Sequence, residues 1–323
     1  MNQKALIIVP YFGKFPNYFP LFCQSAYNNR NLLDFLVVTD NNLNLEKYSN
    51  IKVVKTTFNK FKNRIQSKFE FKIALNQPYK LNDFKPAYGY ILDEYISSEY
   101  TYWGFCDLDV IFGDMESYLS KVMGKYDKIS NLGHFQLYRN TDEIKKLFMN
   151  IGNIKFQNYK KVFSNSANFS FDEQFGIGVI SIDNDVLTAY PQHKKLIADI
   201  TPSIKNFTVA YDYPNENNYF YYDKGKIYRV FEDRKREYIY IHLQKRNMEY
   251  NNEVGEKFYI VPNKFIFKDI DALSMYNSVG EDYIEYRQRK NKERCKKILN
   301  FSSLIHSIEF KLEVKRYFRK YGK

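Results

Sequence analysis

Residues 5–38, ALIIVPYFGKFPNYFPLFCQSAYNNRNLLDFLVV, decide the fold class of this chain. Two short runs, residues 5–9 and 34–38, are apolar on both faces instead of alternating with polar residues. A Gly/Pro loop (residues 11–16) and a helix-like stretch (residues 18–28) lie between them. Strands that are apolar on both faces are typical of parallel sheets covered by helices. The pattern therefore predicts a βαβ unit and an α/β fold.

The following residues continue the α/β pattern. Further strands are predicted at residues 51–57, 102–106, 128–132, 178–182 and 237–241, and helices at residues 60–71, 87–96, 115–123 and 143–150. No internal repeat or convincing linker interrupts them. We therefore expect one domain over residues 1–270, with a mixed sheet flanked by helices, and a basic helical tail over residues 271–323.

Composition and cysteine content limit the class of protein. The 323 residues are 44% hydrophobic and 18% aromatic, which is enough for a sizeable core and excludes a disordered chain. Three cysteines without metal-ligand spacing indicate neither a zinc site nor a disulfide framework, so a reducing cytoplasm is expected. The first apolar run is too short for a signal peptide, and no run approaches the roughly 20 residues of a membrane span. A soluble or peripheral protein is expected.

The positive charge is concentrated at the end of the chain. The net charge is +12, and residues 283–323 contain 13 Lys/Arg against 4 Asp/Glu. Nucleic acid is therefore not an expected partner, because the main domain has no comparable basic cluster. Seven apolar residues recur in the tail at near-helical spacing, namely Ile298, Leu299, Leu304, Ile305, Ile308, Leu312 and Phe318. Such a helix either lies on an anionic membrane surface or packs its apolar face on the main domain.

Two carboxylates interrupt the aromatic run YTYWGFCDLDVIFGD at residues 100–114. Asp107 and Asp109 follow a predicted strand, at the sheet edge where α/β proteins bind ligands. Two buried carboxylates one residue apart require a positive charge, and oxygen ligands favour Mg²⁺ or Mn²⁺ that also binds substrate phosphate. The alternative is that Asp107 caps a turn while Asp109 is solvated. The strand and aromatic residues around the pair favour the metal.

Six segments together give the chain a resemblance to a known group of enzymes. They are VPYFGKFPNYF (9–19), FLVVTD (35–40), FKPAYG (84–89), YWGFCDLDVIFGD (102–114), GHFQLYRN (133–140) and FDE (171–173). As a set they resemble bacterial capsule and surface-polysaccharide glycosyltransferases of the GT-A fold, over about residues 4–250. Many of those proteins carry only the label of a domain of unknown function. The resemblance implies a GT-A-like, Rossmann-type sheet and transfer of a sugar to a glycan or lipid-linked saccharide. The cysteine content and the basic tail place such an enzyme in the cytoplasm or on the inner face of the plasma membrane.

The resemblance also implies roles around the carboxylate pair. Asp107 and Asp109 would hold the metal on a nucleotide diphosphate sugar, with a UDP-sugar favoured. His242, at the end of a predicted strand, would complete the metal ligands, and Lys245 and Arg246 would contact the diphosphate. The alternative for His242 is a hydrogen-bonded residue of the core or sheet edge.

Asp172 and Glu173 are the candidates for a catalytic base, with Asp172 first. If transfer inverts the anomeric centre, one carboxylate must accept the proton of the acceptor hydroxyl. Either residue would equally serve as a helix cap or first-turn charge. A retaining mechanism needs no such base, so the stereochemistry stays open.

Four further residues are predicted from position alone. Lys85 would contact phosphate or the donor sugar, or else be an ordinary surface lysine before a proline. His134 would contact donor or acceptor sugar, or else be a hydrogen-bonded core histidine. Tyr11 and Asp40, after the first two strands, fall where the GT-A fold holds the base and ribose.

Two other functions compete with this hypothesis. A haloacid dehalogenase-type phosphatase also has Asp-x-Asp after a strand and uses the first Asp as nucleophile. That motif normally follows the first strand, whereas three strands precede it here. A non-catalytic carbohydrate-binding protein would account for the aromatic content and would bind sugar without metal.

Overall fold

The structure is a computed structural model of the chain. It describes residues 3–152, 158–201, 207–210, 219–231 and 234–267. The predicted tail, residues 271–323, lies outside the described residues. None of the helices in the described ranges combines the length and the apolarity that crossing a bilayer requires.

Strands and short helices alternate along the chain. The strands are β1 (Ala5–Pro10), β2 (Leu33–Thr39), β3 (Ile51–Lys55), β4 (Tyr102–Cys106), β5 (Val110–Phe112), β6 (Lys128–Leu132), β7 (Phe135–Arg139), β8 (Thr188–Ala189), β9 (Ile197–Asp199), β10 (Phe220–Asp223), β11 (Lys226–Phe231), β12 (Arg234–Tyr238), β13 (Tyr240–His242), β14 (Lys257–Val261) and β15 (Lys264–Ile266). The α-helices are α1 (Phe19–Tyr27), α2 (Phe58–Gln66), α3 (Tyr88–Ile91), α4 (Met115–Val122), α5 (Asp142–Lys145), α6 (Tyr159–Phe163) and α7 (Val179–Asp183). A long 3₁₀ helix spans Pro78–Ala87.

The main sheet has seven strands in the order β3-β2-β1-β4-β7-β6-β8. Strands β1 to β4 run parallel, and β7 pairs antiparallel to β4. The α/β fold with a mixed sheet flanked by helices is therefore confirmed. Because β1, β2 and β4 are parallel, the residues after each of them, Tyr11, Asp40 and Asp107, emerge at the same edge of the sheet.

Apolar residues on both faces of the strands supply two cores. Ile7 and Val37 pack on one face with α1 and α4, whereas Ile8 and Leu36 pack on the other with α2 and α3. Each strand is therefore covered on both sides, which is why its sequence reads as a continuous apolar run.

A small sheet of three strands positions the residues of interest. Strand β13 lies between β5 and β9, antiparallel to β5 and parallel to β9. In this register His242 is opposite both Val110 and Asp199. The residue before Val110 is Asp109, so Asp109, Asp199 and His242 meet at one edge. A separate antiparallel sheet, in the order β12-β11-β10-β14-β15, packs beside it.

Two predicted elements are wrong. Residues 178–182 are helical instead of extended, with a π-helical turn at Gln174–Gly178 leading into α7. A short buried apolar run has no period that separates a strand from a helix. The predicted helix over residues 87–96 is broken into the end of the 3₁₀ helix, α3, and a turn at Asp93–Tyr95. The fold requires Gly89 in α3, because a Cβ there would lie 2.3 Å from the indole of Trp103.

Candidate functional site

A cavity of about 670 Å³ opens at the carboxyl edge of the main sheet. Its floor is residues 106–109, and its walls are the loop after β1, the 3₁₀ helix and residues 245–248. The predicted site residues that line it are Tyr11, Lys85, Asp107, Asp109, Lys245 and Arg246. The remaining ones, Asp40, His134, Asp172, Glu173 and His242, are not among its lining residues.

Asp107, Asp109 and His242 form a group with the ligand atoms of a metal site. One ligand atom from each residue lies within 4.8 Å of the others. Asp109 Oδ1 is buried, lies 3.5 Å from His242 Nε2, and makes no hydrogen bond to any residue that the structure describes. Burial alone would raise the pKa of Asp109, but His242 and the Lys245 amide lower it well below its usual range. An ionised buried oxygen that makes no hydrogen bond and lies beside a second carboxylate and an imidazole fits a bound cation.

Asp199 is a site residue that sequence reasoning missed. Its Oδ1 is 2.8 Å from His242 Nδ1 and also accepts a hydrogen bond from Gln244 Nε2 at 3.1 Å. A carboxylate on the far nitrogen of a histidine orients the ring and fixes which nitrogen faces a metal. Burial would lower the pKa of His242, yet Asp109 and Asp199 raise it to about 10. Asp199 is the last residue of a short, otherwise apolar strand, and this strand-end position was the available signal.

His134 is buried next to His242 and away from the cavity lining. The two rings stack with centroids 3.9 Å apart, and His134 Nε2 is 3.0 Å from the hydroxyl of Tyr240. Burial, with the neighbouring His242, lowers the pKa of His134 to about 3. His134 is therefore a neutral ring that packs against the ring of His242. Its contact with a sugar stays a prediction.

The loop after β13 holds Asp109 through its backbone. Gln244 and Lys245 have φ values of 50° and 57°. These values lie in the left-handed region, which residues other than glycine rarely adopt. This conformation directs the Lys245 N–H to Asp109 Oδ2. The Lys245 ammonium lies 4.4 Å from the centroid of the exposed Tyr79 ring at the cavity mouth. The loop thus supplies both a backbone amide bound to Asp109 and an exposed ammonium.

Arg246 is engaged by the protein scaffold. Its guanidinium donates to Asn263 Oδ1 at 2.8 Å and to the carbonyl of Thr201 at 2.9 Å, and it stacks over Phe207 at 4.8 Å. These contacts anchor the loop after β13. A contact between Arg246 and phosphate stays a prediction.

Lys85 joins two carboxylates beneath the cavity. Its Nζ is 2.7 Å from Asp107 Oδ1 and 3.0 Å from Asp172 Oδ2. Burial would lower the pKa of Lys85, but Asp107 and Asp172 raise it above its ordinary value. The surface-lysine alternative does not describe this buried side chain.

The two predicted base residues differ in exposure. Asp172 is buried, and burial, only partly offset by Lys85, raises its pKa to about 7. Glu173 is exposed and lies at the start of the helical turn without a side-chain capping bond. The structure therefore gives the capping alternative no hydrogen bond at Glu173.

Tyr11 and Asp40 flank the loop that forms one cavity wall. The Tyr11 hydroxyl donates to the carbonyl of Lys14 at 3.2 Å, and Asp40 Oδ1 accepts from the Gly13 amide at 3.2 Å. Gly13 has φ +101°, which a residue with a side chain rarely adopts. Asp40 thereby fixes the shape of the loop, and its contact with a ribose stays a prediction.

The chain was compared with protein families, with curated proteins and with solved structures. A family model matches residues 7–269. The chain belongs to DUF6625, a family of unknown function. No curated protein matches the sequence. Among solved structures, the galactosyltransferase LgtC in complex with donor and acceptor sugar analogues is similar, with 13% identity and a TM-score of 0.35. The similarity covers 61% of this chain and 76% of that one.

Proposed function

We propose that this DUF6625 protein is a metal-dependent glycosyltransferase that moves a sugar from a nucleotide diphosphate sugar to a glycan or lipid-linked saccharide. The observation that carries the proposal is the buried Asp109 Oδ1, which accepts no hydrogen bond from the described residues and lies beside His242 and Asp107 at the floor of the cavity. A cation at that point would stabilise the negative charge of the diphosphate leaving group.

Asp107, Asp109 and His242 would hold the ion. The two carboxylates offer the oxygen ligands that Mn²⁺ and Mg²⁺ prefer, and the imidazole favours Mn²⁺ of the two, because Mg²⁺ takes oxygen ligands. When bound, the ion neutralises negative charge on the diphosphate as it departs. Asp199 keeps His242 Nε2 directed at Asp109, so the ligand set is oriented by the protein.

Other residues around the cavity bind and orient the donor. A volume of about 670 Å³ falls in the range of small-ligand sites. Tyr11, which lies at the strand edge and lines the cavity, offers an aromatic face for the nucleotide base. Lys245 reaches the diphosphate from the cavity mouth, where its ammonium is exposed. A UDP-sugar is the favoured donor.

Asp172 and Glu173 are the candidate residues for activating the acceptor. Asp172 stays the first candidate for a base, because a pKa of about 7 matches proton transfer at neutral pH, and Glu173 stays the second. Synthesis of capsule or surface polysaccharide, on the cytoplasmic side of the membrane, is the proposed setting. The membrane-binding tail belongs to this proposal and lies outside the described residues.

Calorimetry with nucleotides tests the proposal. UDP, GDP, CDP and dTDP are titrated with and without Mn²⁺ into the wild type, Asp109→Asn and the matched control Asp185→Asn. Asp185 is an exposed aspartate that does not line the cavity. We expect one nucleotide class to bind only with Mn²⁺, with binding lost in Asp109→Asn and kept in Asp185→Asn. Nucleotide affinity that is the same with and without Mn²⁺, or nucleotide binding that is retained in Asp109→Asn, contradicts the proposal.

The competing functions make different predictions in related assays. The phosphatase would form an aspartyl-phosphate on Asp107, whose Oδ1 is here bound to Lys85. The carbohydrate-binding protein would bind sugars equally well after chelation of metal. Neither is favoured by an observation at this site.

A further inference from the structure

The ammonium of Lys85 is surrounded by three oxygen atoms. Its Nζ lies 2.7 Å from Asp107 Oδ1, 2.7 Å from the carbonyl of Gly133 and 3.0 Å from Asp172 Oδ2. An ammonium has three hydrogens to donate, so each of them has an acceptor inside the protein. All three hydrogens of Lys85 thus have acceptors within the described residues, and its predicted contact with phosphate or the donor sugar stays a prediction.

This oxygen cluster resembles the ligand shell of a small cation. Two carboxylate oxygens and a carbonyl oxygen are the ligands that hard cations take, and the ammonium sits among them at hydrogen-bond distances. Asp107 belongs both to this cluster and to the metal group with Asp109 and His242. Two positions for positive charge thus share one carboxylate, as in sites that bridge two metal ions.

The surrounding chain is built to keep this cluster in place. A Cβ at residue 133 would lie 2.8 Å from Asp172 Oδ2, so glycine lets the carbonyl and the carboxylate approach the same ammonium. One residue before Asp172, the Phe171 amide donates to the buried Asp83 at 2.9 Å. Lys80 holds Asp83 in turn at 2.6 Å. The 3₁₀ helix that carries Lys85 therefore also anchors the segment that carries Asp172.

We propose that the Lys85 ammonium is the built-in second cation of the site and limits the Asp107 side of the cavity to one divalent ion. Lys85 is a positioning residue: it holds Asp107 Oδ1 and Asp172 Oδ2, and leaves the rest of the Asp107 carboxylate for the metal group. The inference rests on the proposed function for the presence of a divalent ion at Asp107, Asp109 and His242.

Counting bound Mn²⁺ tests the inference without any nucleotide or activity. Free Mn²⁺ is followed by electron paramagnetic resonance during titration of the wild type, Lys85→Ala, Lys85→Arg and Lys85→Ala/Asp172→Asn. Lys14→Ala is the matched control, because Lys14 lines the same cavity but is exposed. We expect one Mn²⁺ per chain in the wild type, Lys85→Arg and Lys14→Ala, and a second one in Lys85→Ala. Methylammonium should displace this second ion, and Asp172→Asn should abolish it.

Several results would overturn the inference. They are a folded Lys85→Ala that gains no ion, a gained ion that Asp172→Asn leaves intact, and a wild type that binds two ions per chain. The number of Mn²⁺ ions bound by the wild type tests the inference even if Lys85→Ala fails to fold. If the wild type binds no Mn²⁺ and no nucleotide, the proposed function fails and the inference fails with it, whereas one Mn²⁺ in the wild type and no gain in a folded Lys85→Ala overturns the inference alone.

Discussion

Replacing the buried Lys128 by methionine should stabilise the protein. Lys128 lies on β6 without exposure to solvent, and its Nζ donates one hydrogen bond, to Ser181 Oγ at 3.1 Å. Burial lowers its pKa from the ordinary 10.5 to about 7. At pH 7 this shift costs the folded state ~4 kcal/mol relative to the unfolded chain. Loss of the hydrogen bond to Ser181 destabilises the variant by about 1 kcal/mol. We therefore expect the unfolding free energy to increase by roughly 3 kcal/mol.

The gain from Lys128→Met should depend on pH in a defined direction. Between pH 7 and 10.5 the unfolded lysine is protonated while the folded one is neutral, so wild-type stability rises with pH in this window. Below pH 7 both forms are protonated and the cost is constant. The advantage of the methionine variant should therefore shrink by about 2 kcal/mol from pH 7 to pH 9.

Urea unfolding followed by tryptophan fluorescence is the assay. Trp103 is the single tryptophan and stacks on Tyr138, whose ring lies 5.6 Å from Lys128 Nζ. Lys121→Met, at an exposed position of α4, is the matched control and should change stability little. The reasoning is refuted if Lys128→Met is no more stable than the wild type at pH 7. An advantage that stays the same at pH 9 would also refute it.

Three further predictions concern the proposed metal site. Asp199→Asn should weaken Mn²⁺ binding by about 10- to 100-fold, because it removes the charge that orients His242, and an unchanged affinity in a Mn²⁺ titration would contradict this role. Lys245→Gly should keep Mn²⁺ affinity, because the backbone N–H that binds Asp109 remains, but should weaken Mn²⁺-dependent nucleotide binding about tenfold in calorimetry. An equal loss of Mn²⁺ and nucleotide affinity would show that the side chain only maintains the loop conformation. Mn²⁺ affinity should rise with pH from 6 to 9, because the ion displaces a proton from His242, whose pKa is raised to about 10; a flat profile would exclude His242 as a ligand.

Much of the fold was readable from local pattern. Strands β1, β2 and β4 are apolar on both faces, and their ends carry Tyr11, Asp40 and Asp107 as predicted. The proximity of Asp107 and Asp109 was also predictable, because a single residue separates them in the sequence. The predicted strand at residues 178–182 was wrong, because a short apolar run without a clear period fits a buried helix as well as a strand.

Charge pairing across the fold was the part that sequence could not supply. Lys85 is 87 residues from Asp172 along the chain, and nothing in FKPAYG indicates that its ammonium ends between two aspartates. Asp199 likewise becomes a partner of His242 only through the parallel pairing of β9 with β13. Side-chain partners that depend on sheet order require the tertiary structure.

The small sheet also determines when the site exists during synthesis. Strand β5 at Val110–Phe112 gains its partner β13 only when Tyr240–His242 has been made. A nascent chain that has emerged through the main sheet therefore carries Asp107 and Asp109 without the histidine and without the amide of Lys245. At translation rates of roughly 5–20 residues per second, this interval lasts several seconds. Tight metal capture by the nascent chain would have to wait until the ribosome has delivered the last strand of that sheet.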